Sequence, residues 1–310
     1  MKSLTNYIKS DKSSLISLAE KLIVNKNYNI YQYCPKTINE FRQHLENIYE
    51  EHGPGTKNDP IILYIDLSNI DTLFYVDKND KYHENPGVFR NIPFEYIDVS
   101  DIKISKNTDI SRCFQGANTL KQIFGLNKWN INNHKFFDCL FSGCTKLESI
   151  DISEWNIKPT DTSSMFSECI SLKTIGDISH WDMSEVHECD AMFMYCKNLK
   201  YIGDLSRWKI SSNCINCDSM FMGCENLIDI GDISSWNPVN SASLCWMFTN
   251  CCKIKSFGNL DNWNIKNINK DCIFKGCLSL QDVPSWYKRK AQLENINKKH
   301  KINWNYLNSI

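Results

Sequence analysis

GDISHWDMSEVHECDAMFMYC occupies residues 176–196, and GDISSWNPVNSASLCWMFTNC occupies residues 231–251. The two align without a gap. Both carry Gly-Asp-Ile-Ser, a Trp two residues on, then Met-Phe with Cys three residues after the Phe. Working outward, Phe114, Phe141, Phe166, Phe193, Phe221, Phe248 and Phe274 recur at intervals of 25 to 28 residues. Trp129, Trp155, Trp181, Trp208, Trp236, Trp263 and Trp286 keep nearly the same beat. Cys144, Cys169, Cys196, Cys224, Cys251 and Cys277 each follow a Phe by three, and an aliphatic residue follows each Cys by three. The unit reads M-F-x-x-C-x-x-L-x-x-I-(G)-D-I-S-x-W-x-I, an internal repeat, and a repeat decides the architecture before any single element does.

Each unit translates into local structure. L-x-x-I-x-I alternates apolar and polar residues, the pattern of a short half-buried strand. The W-x-I pairs (Trp155/Ile157, Trp181/Met183, Trp208/Ile210) read as a second extended piece. M-F-x-x-C reads as a turn of helix with Phe and Cys on one face at i, i+3. One unit is too small to bury its own apolar face, whereas stacked units bury it against each other. Worn copies reach upstream: IDVSDI (97–102) and IDLSNI (65–70) match IDISEW (150–155), and Phe89 fills the Phe slot between them.

The unit resembles the BspA-type leucine-rich repeat family, in the branch whose repeats are variants of GDISxWDVSxVTDMxxMFxxC. The segment before the first IDLS, of the PKTxxEFxxxLE kind (35–46), resembles the architecture of that branch as well. The resemblance covers roughly 61–286. It implies a microbial or phage-encoded surface or host-interaction protein. In this sequence V-T-D-M has decayed to T-D-T-S (160–163) or V-H-E-C (186–189). The expected fold is therefore an α/β repeat, a leucine-rich-repeat-like solenoid of about 26-residue units with short parallel strands. Residues 1–60 are expected to form a helical N-terminal cap, 61–286 the solenoid (degenerate over 61–112, regular over 113–286), and 287–310 a C-terminal cap. Helices are expected over 13–24, 38–51 and 284–297. Thr37 with Glu40 three residues on makes a capping box for the second, and HGPG (52–55) ends it.

Composition narrows the function classes. The chain has 310 residues, 42% apolar and 23% charged, which excludes a mostly disordered chain. A net charge of −1 gives no global field for nucleic acid. The basic cluster Lys288, Arg289, Lys290, Lys298, Lys299, His300 and Lys301 reads as a solvated face of the C-terminal helix. No stretch approaches 18 apolar residues, so no membrane span is expected. Ser17, Glu20 and Lys21 interrupt the only N-terminal apolar run, so no signal peptide is expected. That places the protein in the cytoplasm or another intracellular setting, or on a virion or cell surface by another route.

Fifteen cysteines raise the question of bridges, metal or core. Six lie in the repeat column, and Cys189 and Cys217 share a slot with Ile110, Phe137 and Leu244. Exchange with apolar residues is what packing produces, because a thiol behaves as a small hydrophobe. Cys214-Ile-Asn-Cys217 is the one C-x-x-C, without a second pair or a spaced His. No metal and no cofactor is expected. His134, His180 and His187 read as solvated loop residues. With no P-loop, no G-x-S-x-G and no G-x-G-x-x-G after a strand, no enzyme is expected.

What remains is recognition of a protein partner by the non-core positions of the strands. The candidate face is Ser149, Asp151, Thr174, Asp177, Tyr201, Asp204, Asp229, Asp232, Ser256 and Asn259. Tyr201 is its anchor, since Tyr is enriched among interface hot spots. The recurring aspartates are expected to close Asx turns, helped by the serine two residues on, with a divalent cation such as Ca²⁺ or a basic partner on this face as the alternatives. A structural part of a larger assembly, such as a virus particle, is the second function class.

Overall fold

The computed structural model describes residues 33–63, 65–67, 73, 87–210, 214–236, 238 and 243–287. The helix expected over 13–24 and the basic cluster from Lys288 lie outside them. The one α-helix among the described residues, α1 (Ile38–His52), starts where the capping pattern placed it. The Thr37 hydroxyl accepts from the Glu40 N–H at 3.1 Å, and the Glu40 carboxylate reaches back to the Lys36 N–H at 2.8 Å. Gly53, at φ 72°, ends the helix. Phe41, Leu45 and Ile48 make one buried stripe at helical spacing. Phe41 meets Phe89 edge-on at 6.1 Å, so α1 lies against the first ring of the repeat column.

Three short strands, β1 (Ile61–Ile62), β2 (Tyr96–Asp98) and β3 (Gln122–Phe124), pair in parallel in that order. Ile97 lies opposite Ile61 on one side and Ile123 on the other. Single bridges extend this ladder from Gln122 to Ser149, Thr174 and Tyr201. From Ser149 onward the ladder consists of single rungs, and at the last two of these the positive-φ residues Gly176 and Gly203 follow the buried Ile175 and Ile202 directly. A second parallel ladder runs Phe136–Asp161–Glu188–Asn216–Ser243–Asn269. Successive repeats thus lie one upon the next.

Between the ladders lies an aromatic column. From Phe114 through Phe141, Phe166, Phe193, Phe221 and Phe248 to Phe274, ring centroids are 5.3 to 5.8 Å apart and planes lie within 13° of parallel. That spacing is offset stacking. Each column cysteine donates its S–H to the Phe carbonyl of the preceding repeat, as Cys169 does to Phe141 and Cys196 to Phe166, both at 3.1 Å. The cysteines are core, as the slot exchange implied, and also donors that an aliphatic residue would not supply. The indole N–H groups behave alike: Trp155 donates to Leu126 O at 2.8 Å and Trp208 to Ile178 O at 3.1 Å. Trp181 breaks the series, its buried Nε1 having no partner among the described residues.

The M-F-x-x-C segment is not helical. Ser164 and Glu168 both have positive φ and bracket Met165-Phe166-Ser167. The N–H groups of Thr162, Ser164, Phe166 and Glu168 donate to carbonyls of the next repeat at 2.7 to 3.0 Å. Those of Met165, Ser167 and Cys169 close i→i−3 turns instead. The alternation satisfies the backbone both within and between repeats. A helical turn would direct every N–H along its own axis and leave the neighbour's carbonyls unpaired. The second extended piece is also absent from the repeat around Trp181, where Met183–Glu185 forms a 3₁₀ turn. At the far end Pro284–Tyr287 closes a turn, with Tyr287 N donating to Pro284 O at 2.9 Å. The remainder of the helix expected over 284–297 lies outside the described residues.

Candidate functional site

The strand-side face is built from the positions that alternate with the core. Ile150, Ile175, Ile202 and Ile230 point inward and are buried. Asp151, Thr174, Asp177, Tyr201, Asp204, Asp229, Asp232, Ser256 and Asn259 are exposed, and Ser149 is half-buried. Ser149, Thr174 and Tyr201 are consecutive rungs of one ladder, and the Tyr201 side of the face is open, with that residue 53% exposed.

Most of these polar side chains also serve their own backbone. The carboxylates of Asp151, Asp177, Asp204 and Asp232 accept from the N–H of the serine two residues on at 2.9 to 3.1 Å. Asn259 does the same with Asp261 N at 3.0 Å. These are the expected Asx turns. The Ser206 N–H, aided by its hydroxyl, holds the Asp204 carboxyl below the usual carboxylate range. Thr174, Asp229 and Ser256 accept from the N–H of the glycine two residues on at 2.9 to 3.2 Å. Gly231 sits so close above Asp204 that a Cβ there would lie 1.8 Å from the carboxylate oxygen. Side-chain directions on this face are therefore fixed before anything binds.

Two shallow grooves open on it. One, of about 650 Å³, is lined by Gln122, Ser149, Asp151, Thr174, Asp177 and their neighbours. The other, of about 450 Å³, is lined by Ser256, Asn259, Asp261 and Asp282 with Pro284 as a wall. Tyr201, Asp204, Asp229 and Asp232 line neither. Beside the first groove, Lys121 pairs with Glu95 at 2.6 Å and Lys173 with Glu148 at 2.7 Å across successive repeats. Such exposed pairs add about 0–1 kcal/mol each, so they tune charge more than they hold the stack.

Two features were not legible from spacing. First, the ladder that joins Glu188 to Asn216 brings Cys189 to the C-x-x-C. Cys189 Sγ is 3.5 Å from Cys214 Sγ and 3.4 Å from Cys217 Sγ, and the latter two are 3.2 Å apart. The three thiols are the one group of three or more His, Cys, Asp or Glu among the described residues whose ligand atoms could hold a metal ion. Close hydrogen-bonding contact with the Cys189 and Cys217 thiols holds the Cys214 thiol far below the ordinary range. The same contacts push Cys189 well up. Cys189 and Cys217 are therefore not packing residues alone, and the C-x-x-C has a third partner in Cys189. Second, His134 is not a solvated loop residue. It is 5% exposed, neither ring nitrogen makes a hydrogen bond of good geometry although the backbone of Ile131, Thr108 and Ser105 lies close to the ring, and burial pushes its pKa down. His180 is half engaged, with Nε2 3.0 Å from Trp155 O, and His187 is exposed.

No helix among the described residues is long and apolar enough to cross a membrane. The family model described as Mycoplasma protein of unknown function, DUF285, matches residues 86–202 and again residues 160–287. The two matches together span well over half of the chain, and it belongs to that family. No curated protein and no solved structure matches it.

Proposed function

We propose that this DUF285 protein is a non-enzymatic recognition module, a BspA-type leucine-rich-repeat-like solenoid whose strand-side face binds a protein partner. The parallel ladders and the continuous aromatic column support the solenoid reading. The position of α1 against Phe89 supports reading the N-terminal segment as a cap. The observation that carries the function is the face itself. Tyr201, more than half exposed, shares a ladder with Ser149 and Thr174, and the flanking aspartates are locked in Asx turns. Fixed side chains lose little freedom on docking, which favours affinity. The row Asp151, Asp177, Asp204 and Asp232 favours a partner whose docking surface is basic. The column thiols act as S–H donors, a role that requires reduced sulfur and supports an intracellular setting.

The test is capture from a native host extract with the wild-type protein, a Tyr201→Ala variant and an Asp204→Lys/Asp232→Lys variant. The wild type retains a defined partner, and both variants lose it. The same set of bound proteins on all three baits would remove this face from the function.

A further inference from the structure

Away from that face, the core contains a meeting of three sulfurs that repeat packing does not require. The slot of Cys189 and Cys217 carries Ile110, Phe137, Thr162, Leu244 and Lys270 in other repeats, and Asn107, His134, Pro159, Val186, Ser241 and Asn267 stand where Cys214 stands, so no other repeat places a second sulfur there. Column cysteines such as Cys169 and Cys196 direct their thiols at backbone carbonyls of the preceding repeat. In this cluster each thiol lies within 3.5 Å of the other two, and Cys189 and Cys214 also reach the Asn216 carbonyl at 3.5 Å. Two members come from one C-x-x-C and the third from the preceding repeat, 25 residues before Cys214.

We propose that Cys189, Cys214 and Cys217 form a three-thiolate site for a thiophilic divalent cation of the zinc class. A tetrahedral ion needs about 2.3 Å to each sulfur. With the observed sulfur separations, such an ion sits about 1.2 Å above the plane of the three sulfurs. Sulfurs around an ideal tetrahedral zinc are about 3.8 Å apart. The triangle therefore opens by a few tenths of an ångström on binding. A planar three-coordinate ion would demand a larger spread. An ion above the plane has a fourth position, open to water.

Each thiol gives its proton to solvent as its sulfur bonds the ion, with no change of oxidation state. The group is buried, yet Ile215, next to Cys214 in the chain, is 52% exposed, so the surface lies one residue away. The site belongs to the second ladder and does not depend on what the strand-side face binds.

The full-length protein, reduced and freed of metal by chelator, is titrated with Co(II), whose thiolate charge-transfer and d–d bands report ligand type and geometry. The expected result is one equivalent bound, with a tetrahedral d–d pattern and a charge-transfer intensity for three thiolates. Zn(II) then displaces the colour stoichiometrically. Cys189→Ala and Cys214→Ala each weaken Co(II) binding at least tenfold. Cys252→Ala, which changes a half-buried cysteine outside the cluster, leaves it unchanged. Absence of a thiolate band in the wild type at stoichiometric Co(II) overturns the proposal and needs no variant. A band that survives intact in folded Cys189→Ala and Cys214→Ala proteins also overturns it.

Discussion

Gly231→Ala, made alone and in an Asp204→Ala background, tests whether the glycines of the strand-side turns are there for the aspartates of the preceding repeat. Gly231 has φ 82°, so any Cβ costs about 1–2 kcal/mol from backbone sterics alone. Reduced freedom of the unfolded chain returns about 0.4–1 kcal/mol of that. The added Cβ would also stand 1.8 Å from the Asp204 carboxylate oxygen and 2.8 Å from its carbon, distances no real methyl occupies. The carboxylate must swing out and give up the Ser206 N–H it holds at 2.9 Å. Because this group is exposed, that loss is set near the neutral hydrogen-bond value, about 1 kcal/mol, with a further fraction for the displaced side chain. The single variant is therefore destabilised by roughly 2–3 kcal/mol. In the Asp204→Ala background the clash is gone and roughly 1 kcal/mol remains. The expected coupling is about 1–2 kcal/mol, against the 0.3–0.5 kcal/mol within which independent sites add. Urea unfolding followed by tryptophan fluorescence measures all four proteins, and thermal melts should show a drop of about 3–5 °C for the single variant. An equal cost of Gly231→Ala in both backgrounds would refute the carboxylate-cradle argument and leave backbone strain as the sole reason for glycine.

Two further outcomes follow from individual side chains. Trp208→Phe should cost about 1 kcal/mol more than Trp181→Phe in the same unfolding assay, because only the Trp208 indole N–H satisfies a carbonyl, Ile178 O; equal costs would show that the indole bonds contribute nothing net. Burial raises the Asp190 pKa above its ordinary 3.8, so the folded state prefers the protonated form and its ionisation at neutral pH opposes folding. Asp190→Asn should stabilise the protein at pH 7, and the gain should disappear as pH falls below about 3.8, where the carboxyl is protonated in both states. A gain that persisted at pH 3 would point to a cause other than charge.

The repeat, its core columns and the Asx turns were legible because each leaves a mark at one fixed spacing: Phe, then Cys three on, and Asp with Ser two on. The M-F-x-x-C segment was misread because i, i+3 contact fits both a helix and a turn whose ends are left-handed. Half the signal was present. The second left-handed position carries Gly116, Gly143, Gly223 and Gly276, and Asn250, a residue type that tolerates positive φ, but Glu168 and Tyr195 in the other two units. The first carries Arg112, Cys139, Ser164, Ala191, Ser219, Trp246 and Cys272, residue types that do not mark a left-handed turn. The three-thiol cluster was hidden for a different reason. Its distances depend on the register of the second ladder, and Cys189 comes near Cys214 only once Glu188 is known to face Asn216. His134 was hidden likewise, since its burial is set by neighbouring repeats and not by its own loop.

The uniform ring stack has a consequence for how the chain finds its own fold. Any column Phe would stack on any other at nearly the same separation, so a chain slipped by one whole unit keeps most of its aromatic contacts. Correct register must then come from neighbours that do not interchange. Arg112 with Asp138 at 3.0 Å is such a pair, and so is Lys135 reaching two units ahead to Glu185 at 2.8 Å. Worn and irregular positions are thus the addresses of the stack: the more faithfully the copies repeated, the less the chain would know which copy comes next.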